Sequence, residues 1–141
     1  MKPILKLTLR DLQPSQFYIS QQKLGEVERW FDPGDLSRFE PIPVKELDGV
    51  PVMTDGHTRS VAALRAGLDT VPLVRDEDEL DWRMYRACVT ECRRRGVHSP
   101  ADLVDRVISP EAYVTQWDEW CDRMQAKILA GDPSADRQEV P

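Results

Sequence analysis

No apolar run in this 141-residue chain approaches the ~20 residues that a membrane-spanning helix needs. The first residues, Met1-Lys2-Pro3-Ile4-Leu5-Lys6, also lack the long apolar stretch of a secretory signal. No membrane partner and a cytoplasmic location are therefore expected. Cations are in short supply too. The 19 Lys and Arg stand against 25 Asp and Glu, for a formal net charge of -6. A general nucleic-acid binder needs a basic face to neutralise phosphates, so nucleic acid is not an expected partner. A small anion remains compatible with this charge, because one helix end and one arginine hold it locally. Cysteine is limited to Cys88, Cys92 and Cys121, an odd number that reads as reduced thiols in a chain without a secretion signal. The short C-x2-C knuckles of structural zinc sites are missing. A zinc reading of Cys88, Cys92, His98 and Cys121 therefore yields to buried thiols packed between helices. No internal repeat is present.

What remains is one globular domain. Hydrophobic residues make up 40% of the chain, enough for one modest core. Apolar alternation over residues 4–9 predicts a strand, and residues 17–19 a short second one. Ser20 reads as an N-cap for a helix over 21–31, with Leu24, Val27 and Phe31 as its apolar stripe. Residues 44–47 and 50–54 read as an antiparallel hairpin about Asp48-Gly49. A helix over 58–66 is closed by Gly67, and 70–74 returns as an edge or strand-start segment because of Pro72.

From Asp76 the texture becomes helical. The acidic run Asp76-Glu77-Asp78-Glu79 is expected to open a helix that ends on Arg93-Arg94-Arg95-Gly96, with cations at the negative end of the dipole. Ser99-Pro100 and Ser109-Pro110 are expected to start two more, over 101–107 and 111–129. The second of these buries Tyr113, Trp117, Trp120, Met124 and Ile128. The resulting division is a core over 1–75, a helical extension over 76–130 and a tail over 131–141. The acidic helical half would offer a surface to a protein partner.

One stretch concentrates the chemistry: Asp55-Gly56-His57-Thr58-Arg59, between a strand and a helix. A helix start leaves its first N–H groups unpaired and carries partial positive charge. Gly56 lets the chain bend and a ligand approach the backbone. The N–H groups of His57, Thr58 and Arg59 would point at an anion, with the Arg59 guanidinium and the Thr58 hydroxyl as further donors. Asp55 suits a metal ion or an attacking hydroxyl, and His57 suits hydrogen bonding or proton transfer near neutral pH. Plainer roles stand beside these: Asp55 as a helix cap, His57 as a surface histidine, Arg59 in an ion pair with Asp55 or Glu46. Trp30 and Phe31 could line one wall of the ligand cleft or simply pack.

Strand, Asp55-Gly56-His57-Thr58-Arg59, Ala-rich helix, Gly67 and Val71-Pro72-Leu73-Val74 together resemble the core of the ParB/sulfiredoxin-like superfamily. The turn is similar to that of ParB-like small-molecule kinases such as the ADP-dependent free serine kinase. The resemblance covers about residues 4–75 and implies an α+β fold, a small mixed sheet flanked by helices; the expected C-terminal three-helix extension lies outside it. It further implies nucleotide phosphates at Gly56, His57, Thr58 and Arg59, Mg²⁺ at Asp55, ADP or ATP as cofactor, and catalytic roles for Asp55 and His57. The phosphate would pass to a small hydroxylated molecule. The chain departs from those kinases in one respect. Their glutamate general base belongs before the first helix, whereas Pro14-Ser15-Gln16-Phe17-Tyr18-Ile19-Ser20 holds no acid, and Glu26 and Glu28 lie inside the following helix. A non-catalytic ligand-sensing or interaction module using the same turn is therefore the alternative. A sulfiredoxin would need a cysteine in the turn, where His57 stands.

Overall fold

The computed structural model describes residues 6–131; the expected tail beyond 131, and residues 4 and 5 of the first expected strand, lie outside them. The architecture is α+β, with small sheets flanked by helices. In the three-stranded sheet, β2 (Ile42–Leu47) lies between β3 (Val50–Met53) and β4 (Leu73–Arg75). β3 is antiparallel to β2, with Val44 opposite Met53, and β4 is parallel to it, with Ile42 opposite Leu73. Asp48 and Gly49 at the hairpin have φ of 53° and 79°, the two positive values that a tight primed turn requires. Pro72 precedes β4, which takes an edge of the sheet as expected.

From β3 the chain crosses to β4 through α2 (His57–Arg65), which is apolar on one side and buries Val61, Ala62 and Ala63. Gly67 follows with φ 85°, the left-handed residue that closes the helix. α1 (Gln21–Trp30) packs on α2 and starts at Ser20, whose Oγ accepts the Lys23 N–H at 3.3 Å, the expected cap.

Three expectations give way. Residues 6–9 form no strand. Leu7 and Leu9 are buried as the alternation suggests, but the segment is a loop tied by the Leu9 N–H to the Asp69 carbonyl at 2.8 Å. Its ladder contact comes later, where Gln13 lies beside Val52 of β3. The acidic run does not open a helix either. The Asp76 carboxylate is held by the Thr54 hydroxyl at 2.5 Å and accepts the Asp78 N–H at 2.9 Å, which fixes a turn. α3 (Trp82–Arg94) begins only at Asp81, whose carboxylate accepts the Met84 N–H. Finally, the expected helix over 101–107 is a single 3₁₀ turn, Pro100–Leu103. The chain then extends as β5 (Val107–Ile108), parallel to β1 (Ile19–Ser20). α4 (Pro110–Tyr113), a π turn (Val114–Asp118) and α5 (Glu119–Leu129) complete the C-terminal helical run.

Phe17, Ile19 and Leu24 share a core with Val61, Cys92, Val97 and Leu103, so the helical half is built into the same interior as the first. The Arg93-Arg94-Arg95 cluster is also absorbed. Arg94 and Arg95 pair with Glu91 at 2.8 and 2.7 Å, and Arg93 donates to Gln13 Oε1 at 3.2 Å. Cys88 and Cys92 are buried on α3, which packs against α5. The Cys88 thiol is pushed up by its hydrogen bond with Cys121 and by burial, and burial does the same to Cys92.

Candidate functional site

The turn between β3 and α2 forms as a strand–turn–helix, with Asp55 exposed and Gly56 and His57 buried. Gly56 occupies the N-cap position in the left-handed region, with φ 79°. Its N–H donates to Asp55 Oδ1 at 2.8 Å, so Asp55 braces the turn from one residue outside the helix. No side chain caps α2. Its first N–H groups, on His57, Thr58 and Arg59, therefore keep the anion-binding potential of an open helix start.

Gly56 also makes room for Arg59. A Cβ at position 56 would stand 2.8 Å from the Arg59 Nη2 and 3.2 Å from Ile42 Cγ1. Gly56→Ala should therefore cost about 1–2 kcal/mol for the left-handed backbone and displace the guanidinium as well. Thermal unfolding of the variant checks the first effect, and ligand titration the second.

Arg59 is the most constrained cation in the turn. Its Nη2 donates to the Pro41 carbonyl at 3.3 Å, and its Nη1 lies 3.9 Å from Glu40. The Arg59 side chain is 16% exposed and that of Glu40 83%, so the ion pair is long and solvent-screened. Its partner is neither Asp55 nor Glu46. The Arg59 Nε is buried and has no hydrogen-bond partner, a cost that folded proteins rarely leave uncompensated.

His57 is placed differently from a proton-transfer group working near neutral pH. The ring is buried, and its Nε2 accepts the Ser15 N–H at 3.0 Å. Burial lowers its pKa to about 4; the Asp55 charge opposes that shift and the Arg59 cation adds to it. The imidazole is thus neutral at pH 7 and ties the loop before β1 to the start of α2. Ser15 Oγ donates to the Met53 carbonyl at 2.7 Å, which closes the same junction from the other side.

A cleft of about 310 Å³ opens over this turn. Asp55, Gly56, His57, Thr58 and Arg59 line one side. The other is one face of α1: Lys23, Glu26, Val27 and Trp30, at i, i+3, i+4 and i+7. Gln16 and Tyr113 close the end. The Gln16 amide donates to the Tyr113 hydroxyl at 3.1 Å, and Lys23 Nζ sits 5.0 Å from the Tyr113 ring centre. Burial, followed by the Asp118 charge, pushes the Tyr113 phenol up to about 12, so it stays protonated.

The structure thus brings the five turn residues together and adds Gln16, Lys23, Glu26 and Tyr113, which the sequence reading did not assign. For Lys23 and Glu26 only the 3–4 spacing along α1 could have signalled them, and Gln16 and Tyr113, which lie off that helix, gave no local signal. Glu28 is turned to Arg65, at 3.6 Å, whereas Glu26 faces the cleft. Trp30 lines the cleft, while Phe31 packs beside Phe39 against the sheet core. Among the described residues, no group of three or more His, Cys, Asp or Glu side chains is placed to hold a metal ion, and no helix is long and apolar enough to cross a membrane. No protein-family model, curated protein or solved structure matches the chain.

Proposed function

We propose that this cleft holds the phosphates of a nucleotide, and that the protein is a ParB-like small-molecule phosphotransferase of the free serine kinase type. The observation that carries the reading is Arg59. A buried guanidinium nitrogen without a partner stands on the first turn of an uncapped helix, in a cleft that also presents Lys23. Turned toward the cleft, the guanidinium would find in a phosphate oxygen the acceptor that its buried Nε lacks, and the open N–H groups and the Thr58 hydroxyl would take others. ADP or ATP fits this donor set. Mg²⁺ would be held by Asp55 together with phosphate oxygens, the usual arrangement for an ion bound by one or two carboxylates plus substrate. Bound there, it would offset charge on the transferring group.

Glu26 supplies an acid that the segment before α1 does not. From α1 it would accept the proton of the attacking hydroxyl as that oxygen bonds to phosphorus and the nucleotide leaves with the electron pair. Positioning and electrostatics carry most of such a transfer. His57, neutral and engaged by Ser15, keeps the turn in place. That engagement favours the second reading, a module that binds the nucleotide without transferring phosphate.

A thermal-shift screen of ADP, ATP, CTP and phosphate with Mg²⁺ tests the site, and stabilisation by at least one nucleotide is expected. No shift with any of them overturns both readings. Arg59→Ala should then weaken nucleotide binding by ~1.5–3 kcal/mol, the scale of a charge-assisted hydrogen bond; unchanged affinity would move the site elsewhere. Transfer of labelled phosphate to free serine or a similar hydroxylated acceptor, lost in Glu26→Gln, separates the kinase from the sensor.

A further inference from the structure

Trp30 also lines a second cavity of about 280 Å³, together with Phe31, Asp32, Asp35, Arg38 and Phe39. Trp30 is the one residue lining both. It is 41% exposed, a large ring at the end of a helix with open space on either side. Phe31 stands edge-on to it, with centroids 6.4 Å apart, and packs in turn on buried Phe39 at 5.8 Å. The polar residues here, Asp32, Asp35 and Arg38, are exposed.

On the phosphate-site reading above, we infer that this second cavity is the nucleobase subsite, with Trp30 as its stacking platform. The ligand must be anionic at one end, where Arg59, Lys23 and the α2 start converge. At the other it must be flat and aromatic, with hydrogen-bonding edges to meet Arg38 and the two aspartates. A nucleoside diphosphate has that form. Any base stacks on an indole through its π face, and polar groups around the ring distinguish one base from another. A phosphorylated lipid would instead need an aliphatic channel, whereas this end is walled by aromatic rings with a charged surround.

Calorimetric titration of the full chain with pyrophosphate and with ADP, both with Mg²⁺, separates the two ends. ADP is expected to bind at least tenfold more tightly than pyrophosphate. Trp30→Ala should remove most of that advantage, about tenfold, the effect of deleting one stacking platform. Trp30→Phe should retain most of the ADP preference. Equal affinities for ADP and pyrophosphate overturn the subsite and leave the phosphate site standing. So does an ADP preference that survives Trp30→Ala. Failure of both ligands to bind overturns the phosphate site and the subsite with it.

Discussion

Phe17→Ala should destabilise the protein by about 3–5 kcal/mol, the scale for truncating a buried aromatic residue. The side chain is fully buried, and several elements close on it. Trp117 and Trp120 of the C-terminal helical run meet its ring edge-on, at centroid distances of 4.9 and 5.0 Å. Tyr18 approaches at 5.6 Å, and the Arg95 guanidinium lies over the ring at 4.2 Å. Edge-to-face pairs contribute about 0.5–1.5 kcal/mol each beyond the area they bury, so truncation loses contacts as well as volume. The site cannot collapse easily, because the two indoles already stack on each other at 5.9 Å. Phe17→Leu keeps most of the volume and should cost less than the alanine. Urea unfolding at pH 7 measures both; a loss below about 1 kcal/mol for Phe17→Ala would mean that the ring does not join the two halves.

Phe17 also shows where the sequence stopped being readable. Its neighbours Trp117 and Trp120 were recognisable as the buried stripe of a helix, but the surface they cover lies 100 residues earlier. Features set by local chemistry were legible: the Asp48-Gly49 turn, the Ser20 cap, Gly67 closing α2, and the strand–turn–helix at Asp55. Each needs only a particular backbone conformation or a donor within a few residues. Features set at a distance were not. The alternation before Leu9 reported burial correctly, but a ladder partner is a matter of tertiary placement, and the first one falls at Gln13. The two-residue pairing of β1 with β5 leaves no periodicity to read. The acidic run at 76–79 suited a helix start, yet Thr54 claimed Asp76 for a turn. For the cleft, the phosphate side lay in five consecutive residues. On its other wall, Trp30 was readable as a lining candidate and Val27 as part of an apolar stripe, whereas Lys23 and Glu26 read as ordinary solvated surface until α2 is placed across from them.

Acidification should destabilise this protein through His57, over a window set by the unfolded and folded pKa values of its ring. An imidazole in the unfolded chain titrates near 6.5, and burial lowers the folded value to about 4. Above pH 6.5 the ring is neutral in both states, and its contribution is fully present. As pH falls below 6.5 the unfolded chain takes up a proton that the folded state refuses, so unfolding becomes progressively easier until about pH 4. The difference between the two values corresponds to about 3 kcal/mol, of which roughly 2–3 kcal/mol should already be lost at pH 4.5. The chemistry is local. A proton on Nε2 removes the acceptor for the Ser15 N–H and puts a cation in an enclosed site beside Arg59. His57→Gln keeps an acceptor without the titration. The stability difference between pH 7 and 4.5, measured by urea unfolding, should therefore shrink by that amount in the variant. Following the His57 ring protons by NMR gives the same quantity directly, and a midpoint near 6.5 would refute the buried latch. Because the latch joins the loop carrying Gln16 to the helix start carrying Arg59, the cleft should open over the same pH range. Nucleotide affinity should then fall below pH 6 faster than phosphate protonation alone accounts for in the natural protein, and not in His57→Gln.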